Sequence, residues 1–386
     1  ISSSANSNGS FVDGVWVATT ATASNIQASA LAAELAARSV TIETRQTDTT
    51  IRDWTNGSIM FSENVVKSSG SEVTLTLKSS KSITFPEKRI ASTSGKLNLV
   101  LWADADSLNG GIVEIDALDN SSYMLDTNGG HIAIGGGSSS TTWNGLTIPS
   151  GYTQGFETFT GFWYGVELGI NQDKANSKLI RTSGGNLRMF GEGKSPTSAS
   201  YGIAWEGGEL NTGSGSIELN GRTTADTSPT GGRNHGVGIG SNRSASADIP
   251  KIVTTGAVTI TGSTGGTYSG HQGVYLGYAD FNAGTSTITV TSDRRVELAV
   301  SNNFASALDV TSSANVTVSG AQTFNGASTG TSVRLTSSGT NVVIQGEITA
   351  AGGVETSAAG TTAIEANISA GTPGVLIRSV SRITGN

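Results

Sequence analysis

Apolar and polar residues alternate along most of the chain in short runs, each closed by Gly, Ser, Thr or Asn. Val73-Thr-Leu-Thr-Leu77 and Lys96-Leu-Asn-Leu-Val-Leu101 are two such runs. A period of two marks strands that turn one set of side chains toward a core. Before residue 125 the strand-like runs are 40–42, 58–61, 73–77, 83–85, 96–101 and 111–115. Beyond it the pattern repeats. A short strand, a Thr/Ser-x-Gly step and a second strand recur at 125–134, 179–189, 210–219, 252–260, 281–290, 308–318, 335–344 and 354–364. The second strands begin near 131, 186, 216, 257, 287, 315, 341 and 362, so the unit is about 20–30 residues, with insertions in some copies. A third run of form x-Gly-apolar-x-apolar precedes four of the copies: Tyr164–Leu168, Tyr201–Trp205, His235–Ile239 and Gln272–Leu276.

Three short strands per turn, with Gly or Asn at the corners, describe one coil of a parallel β-solenoid. The expected fold is therefore all-β: a single right-handed parallel β-solenoid with loops inserted on its flank. Residues 40–386 form the solenoid, about 14 coils rising about 4.8 Å each, a rod of about 65 Å. Residues 1–39 form its N-terminal cap. Within them, 25–38 is alanine-rich, places Ile26, Ala30, Leu31 and Leu35 at helical spacing, and follows Ser24-Asn25 as a cap. Such a helix would cover the first coil, since solenoid ends need protection. At the other end, 374–378 and 379–383 still read as strands, which predicts that further coils follow or that another subunit stacks there.

Composition adds restrictions. There are 52 glycines among 386 residues, no cysteine, and only 14% charged residues with a net charge of -7. Lack of cysteine removes disulfides and thiolate metal sites. The acidic balance and scattered basic residues argue against nucleic acid as a partner. No apolar run is long enough to span a membrane as a helix. Low charge itself fits stacked coils, because like residues would stand in ladders where equal charges repel.

Candidate chemistry is sparse, and no cofactor is expected. His131, His235 and His271 are too dispersed for a zinc site. The 104–116 stretch, with Asp104, Asp106, Asn109, Glu114 and Asp116, lacks calcium-loop spacing and reads as a turn between strands. Glycine groups such as 135–137 lack the Lys-Ser/Thr or helix that phosphate cradles require. The second strands carry no carboxylate ladder of the kind glycosidic cleavage needs, so no catalytic residue is assigned. The unusual stretch is an insertion at about 138–165 holding Trp143, Tyr152, Phe156, Phe159, Phe162, Trp163 and Tyr164. So many aromatics must pack on the solenoid flank or form a contact surface for a neighbouring subunit, a host protein or a glycan.

The run from Val40 to Ile134 carries Val-Thr-Ile-Glu-Thr, Gly-Ser-Ile-Met-Phe, Val-Thr-Leu-Thr-Leu-Lys, Lys-Ser-Ile-Thr-Phe and Asn-Gly-Gly-His-Ile-Ala-Ile. It resembles the filamentous-haemagglutinin class of large bacterial surface proteins and the related autotransporter passengers. The resemblance implies export by a diderm bacterium and an extracellular, cell-surface fibre with a structural or adhesive role and no enzymatic activity. Its partners would be neighbouring coils or subunits of the same fibre, with host or cell-surface glycan or protein as the adhesive target. The Asn-Pro-Asn motifs of that family's secretion domain do not occur here, which would make this an internal or distal section. Two other functions remain open at the level of sequence: a head-to-tail filament subunit and a polysaccharide-degrading β-helix enzyme.

Overall fold

A computed structural model describes residues 1–20, 22–45, 57–108, 110–116, 122–155, 164–169, 177–194, 199–224, 234–240, 248–265, 270–325, 331–378 and 380–383. The chain winds repeatedly through three long, mainly parallel sheets of 16, 12 and 11 strands, here the first, second and third sheets. One coil shows the order: Ile217–Thr223 lies in the first sheet, His235–Ile239 in the second and Pro250–Thr254 in the third, and the chain returns to the first at Val258–Thr264. This is the parallel β-solenoid that the alternating pattern predicts.

Each sheet position is a column of like residues from successive coils. In the first sheet Val40, Leu75, Leu99, Ile132, Leu187, Ile217 and Val258 succeed one another in register. All belong to one hydrophobic core running from Trp16 to Ile364. Burying each such side chain contributes about 1.5–3 kcal/mol. Rings stack the same way: Phe281, Phe304 and Phe324 lie 4.8 and 4.9 Å apart and within 10° of parallel.

Glycine supplies the closest approaches. The turn from third to first sheet is fastened by a threonine hydroxyl donating to a carbonyl three residues on, as in Thr127 to Gly130, Thr182 to Gly185 and Thr212 to Gly215. A Cβ at Gly185 would collide with the carbonyl oxygen of Gly130, and one at Gly215 with that of Gly185. The Thr/Ser-x-Gly step is thus a stacked corner that admits no side chain.

Three details differ from the sequence expectation. The second sheet has twelve strands, which at about 4.8 Å gives a span of ~53 Å, because insertions raise the average coil to roughly 29 residues. The repeats from 308 onward slip by one strand: Val316–Val318, Val342–Ile344 and Thr361–Ile364 lie in the second sheet, where the earlier second strands lie in the first. Short coils without insertions make all three strands look alike. The helix spans Ala28–Ala37 with Gln27 at its N-cap, and Gln27 makes no side-chain capping bond. Asn25 instead accepts from the Ser2 hydroxyl and donates to the carbonyls of Ser4 and Ala5, tying down the N-terminal segment. Leu31 and Leu35 are fully buried, and the helix packs on Val65–Lys67 and Val73–Lys78, covering the first coil as expected. No helix among the described residues is long and apolar enough to cross a membrane.

Candidate functional site

Of the seven aromatic residues singled out, Phe156, Phe159, Phe162 and Trp163 lie outside the described residues. The other three are not brought together. Strand Ile132–Trp143 runs past the first sheet, turns at Asn144-Gly145 (φ 47° and 78°) and returns as Leu146–Gly151. The returning strand buries Leu146 and Ile148 on Val100, Trp102 and Ala133, a second small core on the outer face of that sheet. Trp143 packs against this core, edge-on to His131 at 5.6 Å. Tyr152 stacks on Phe190 at 5.3 Å, donates to Asn220 Oδ1 at 3.1 Å and lies under the Arg222 guanidinium. Tyr164 opens a strand of the second sheet, 5.1 Å from Tyr201. Each ring is engaged within the molecule, at a separate place.

The histidines serve the coil stack. His131 Nδ1 accepts the Asn186 backbone N–H at 2.9 Å, between Asn98 and Asn186, whose Oδ1 atoms accept the equivalent bonds from His131 and Ser216. His271 Nδ1 accepts from the Asn234 N–H at 3.2 Å in the same manner. His235 sits between Tyr201 and Tyr275, 4.8 and 5.1 Å from them. Among the described residues no group of three or more His, Asp or Glu is placed to hold a metal. Asp104, in the stretch read as a turn, has φ +49° and its carboxyl is buried. Burial, with the nearby Asp106 charge, raises it to about 7 against the opposing pull of Lys194 and Lys81.

Most cross-coil charge contacts pair opposite signs. Glu43 faces Lys78, Asp126 faces Arg181, Arg188 faces Glu218 and Glu192 faces Arg222, each pair in register on neighbouring strands. Among the described residues, one register pair breaks the rule. Glu114 of Val113–Ile115 and Glu167 of Tyr164–Leu168 are register partners on adjacent strands of the second sheet. Burial raises Glu114 to about 7, with help from Asp116. Burial raises Glu167 further, to about 9, and the charges of Glu114, Glu206 and Asp116 add to it. Tyr164 is held above the usual phenol range, first by burial and then by Glu167.

Sequence reasoning missed this pair because it sought carboxylate ladders only in the first-sheet strands. The signal was present: Val-Glu-Ile at 113–115 and Val-Glu-Leu at 166–168 are the same apolar-Glu-apolar triplet one coil apart. The chain matches no family model, no curated protein and no solved structure. Function is therefore argued from these residues and their geometry.

Proposed function

We propose that this chain is a stiff, non-catalytic rod, a section of an extracellular bacterial surface fibre that spaces or presents adhesive contacts. The observation that carries the reading is the single hydrophobic core threading the coils from Trp16 to Ile364, flanked by three continuous hydrogen-bonded sheets. Bending such a rod would break ladder bonds and core contacts in many coils at once, which makes stiffness its natural property. The low charge, the glycine corners and the outward Ser/Thr positions suit a repeated exposed surface, and the extracellular placement rests on the resemblance of 40–134. Weak contacts on a long rigid element gain strength through multivalency. Electron microscopy of the purified chain tests the mechanical part. Straight particles at least ~5 nm long and of constant width are expected, and compact or freely bending particles would refute it.

One observation favours a second reading, polysaccharide cleavage: the in-register carboxyls of Glu114 and Glu167. Glycosidic cleavage needs one ionised partner beside one acid. With Glu114 raised to about 7 and Glu167 to about 9, a neutral solution leaves Glu114 about half ionised beside a protonated Glu167, but Glu167 is buried in the sheet, where a polysaccharide chain would have to reach it. The rod reading therefore ranks first. New reducing ends after incubation with neutral and acidic polysaccharides would reverse that order.

A further inference from the structure

A cleft of about 220 Å³ crosses the first three coils where the chain leaves the first sheet. Its walls come from the ends of successive strands: Glu43 and Arg45 from the first coil, Lys78 and Ser80 from the second, Asp106 and Leu108 from the third. Backbone bonds fix the three levels, with Thr44 N–H donating to the Lys78 carbonyl at 2.9 Å and Ala105 N–H to the Ser79 carbonyl at 2.9 Å.

The chemistry of this lining is specific in three ways. Its charges cancel, two carboxylates against two cations, so neither an anion nor a cation is selected. Its polar groups keep bonding capacity. Lys78 Nζ stands 3.4 Å and Arg45 Nε 3.6 Å from the same Glu43 oxygen, longer than normal hydrogen bonds. The Ser80 hydroxyl, by contrast, is shut off from the cleft and makes no hydrogen bond, so the accessible bonding groups are those of Glu43, Arg45, Lys78 and Asp106. Finally, Leu108 is 60% exposed at the cleft edge and offers an apolar strip beside these groups. A ligand satisfying all three must be neutral, must both donate and accept, and must carry a C–H face. Vicinal hydroxyls on a saturated ring meet that description. The volume, below the roughly 300–1,000 Å³ of drug-sized sites, admits one ring.

We infer that this cleft binds a single neutral sugar ring, with Glu43 and Asp106 accepting from hydroxyls, Lys78 and Arg45 donating to them, and the ring's C–H face on Leu108. The inference deepens the adhesive reading and rests on it for its biological sense, but its test is separate. Rods that bind no sugar would sink the cleft assignment alone, and sugar binding by a compact particle would sink the rod alone.

The experiment is saturation-transfer NMR and calorimetry on the whole chain. The probes are glucose, galactose, mannose and N-acetylglucosamine, with glucuronate and glucosamine as anionic and cationic controls. Binding of at least one neutral sugar with a Kd of about millimolar order is expected. Asp106→Asn and Lys78→Met should each weaken it by about tenfold, as loss of a charged hydrogen bond implies. Leu108→Lys alters an exposed side chain, leaves the fold intact by circular dichroism, and should weaken binding comparably. The inference is overturned by no saturation transfer to any neutral sugar, by undiminished binding in Leu108→Lys and Asp106→Asn, or by a preference for either charged control.

Discussion

Glu114 and Glu167 are stacked in register on adjacent coils, and among the described residues the charges that shift them are all acidic. Both carboxyls ordinarily titrate near 4.5, and the fold raises them to about 7 and about 9. A folded pKa above the unfolded value means that the folded state holds the proton more tightly. Their contribution to stability is therefore complete below about pH 4.5. It declines as pH rises through 7 and toward 9, and is flat beyond. Melting curves from pH 5 to 10 should show this alkaline loss. Glu167→Gln should flatten the slope and raise the melting temperature at pH 9. A variant that melts in parallel with the parent across that range would contradict the assignment.

His131 gives the opposite sign. Its Nδ1 acts as the acceptor that asparagine supplies in neighbouring coils, so protonation removes the bond to Asn186 N–H. Burial lowers its pKa below the usual 6.5, Lys96 lowers it further, and Glu72 partly opposes them. With the folded value below the unfolded one, its contribution is complete above about 6.5 and is lost as pH falls toward the lowered value. His131→Asn should keep the ladder and remove this acid dependence. His131→Ala should cost about 1 kcal/mol at neutral pH. Urea denaturation at pH 5 and pH 7.5 separates the three proteins.

The corner glycines make a steric prediction. Gly215→Ala would drive a methyl group into the Gly185 carbonyl of the coil beneath, and two stacked backbones cannot both move without breaking ladder bonds. A loss of about 1–3 kcal/mol or more is expected. Gly145→Ala, at the tip of the outer hairpin, meets nothing within 4 Å and strains only a positive φ of 78°. It should cost about 1 kcal/mol. Denaturation midpoints of the two variants should differ clearly, and equal midpoints would refute the stacked-corner account.

The sequence disclosed most of the fold because a solenoid writes its topology locally. Leu187-Arg-Met189 and Ile217-Glu-Leu219 show their inward residues by alternation, and Thr182-Ser-Gly-Gly185 marks its own corner. Where coils shorten to bare strands, as around Leu308–Ser312 and Val316–Val318, the three sides lose their distinguishing insertions and register became ambiguous. The site was less legible. Trp143, Tyr152 and Tyr164 are near in sequence, yet a hairpin and a corner carry them to three surroundings. Glu114 and Glu167 are 53 positions apart, and only the coil register makes them neighbours. The Ser80 cleft likewise joins three coils, which no local pattern could announce.

The phenylalanine stack tests whether the core is cooperative along the rod. Phe304 is fully buried between Phe281 and Phe324, with both ring contacts nearly parallel. Phe304→Ala removes the middle ring, and its neighbours are pinned by strands on either side, so the cavity can close only partly. The expected cost is about 3–5 kcal/mol. Phe304→Leu keeps most of the apolar volume, loses the ring stacking, and should cost less. If the coils unfold as one unit, tryptophan fluorescence, whose six indoles all lie at or before Trp205, should report the same lowered midpoint as circular dichroism of the whole chain. If nearest-neighbour coupling dominates, as repeat architecture allows, the coils around Phe304 should open first while the tryptophan signal keeps its parent midpoint. Hydrogen exchange decides between them: protection lost only between about residues 281 and 324 in Phe304→Ala would establish local opening, and uniform loss would establish a single cooperative rod.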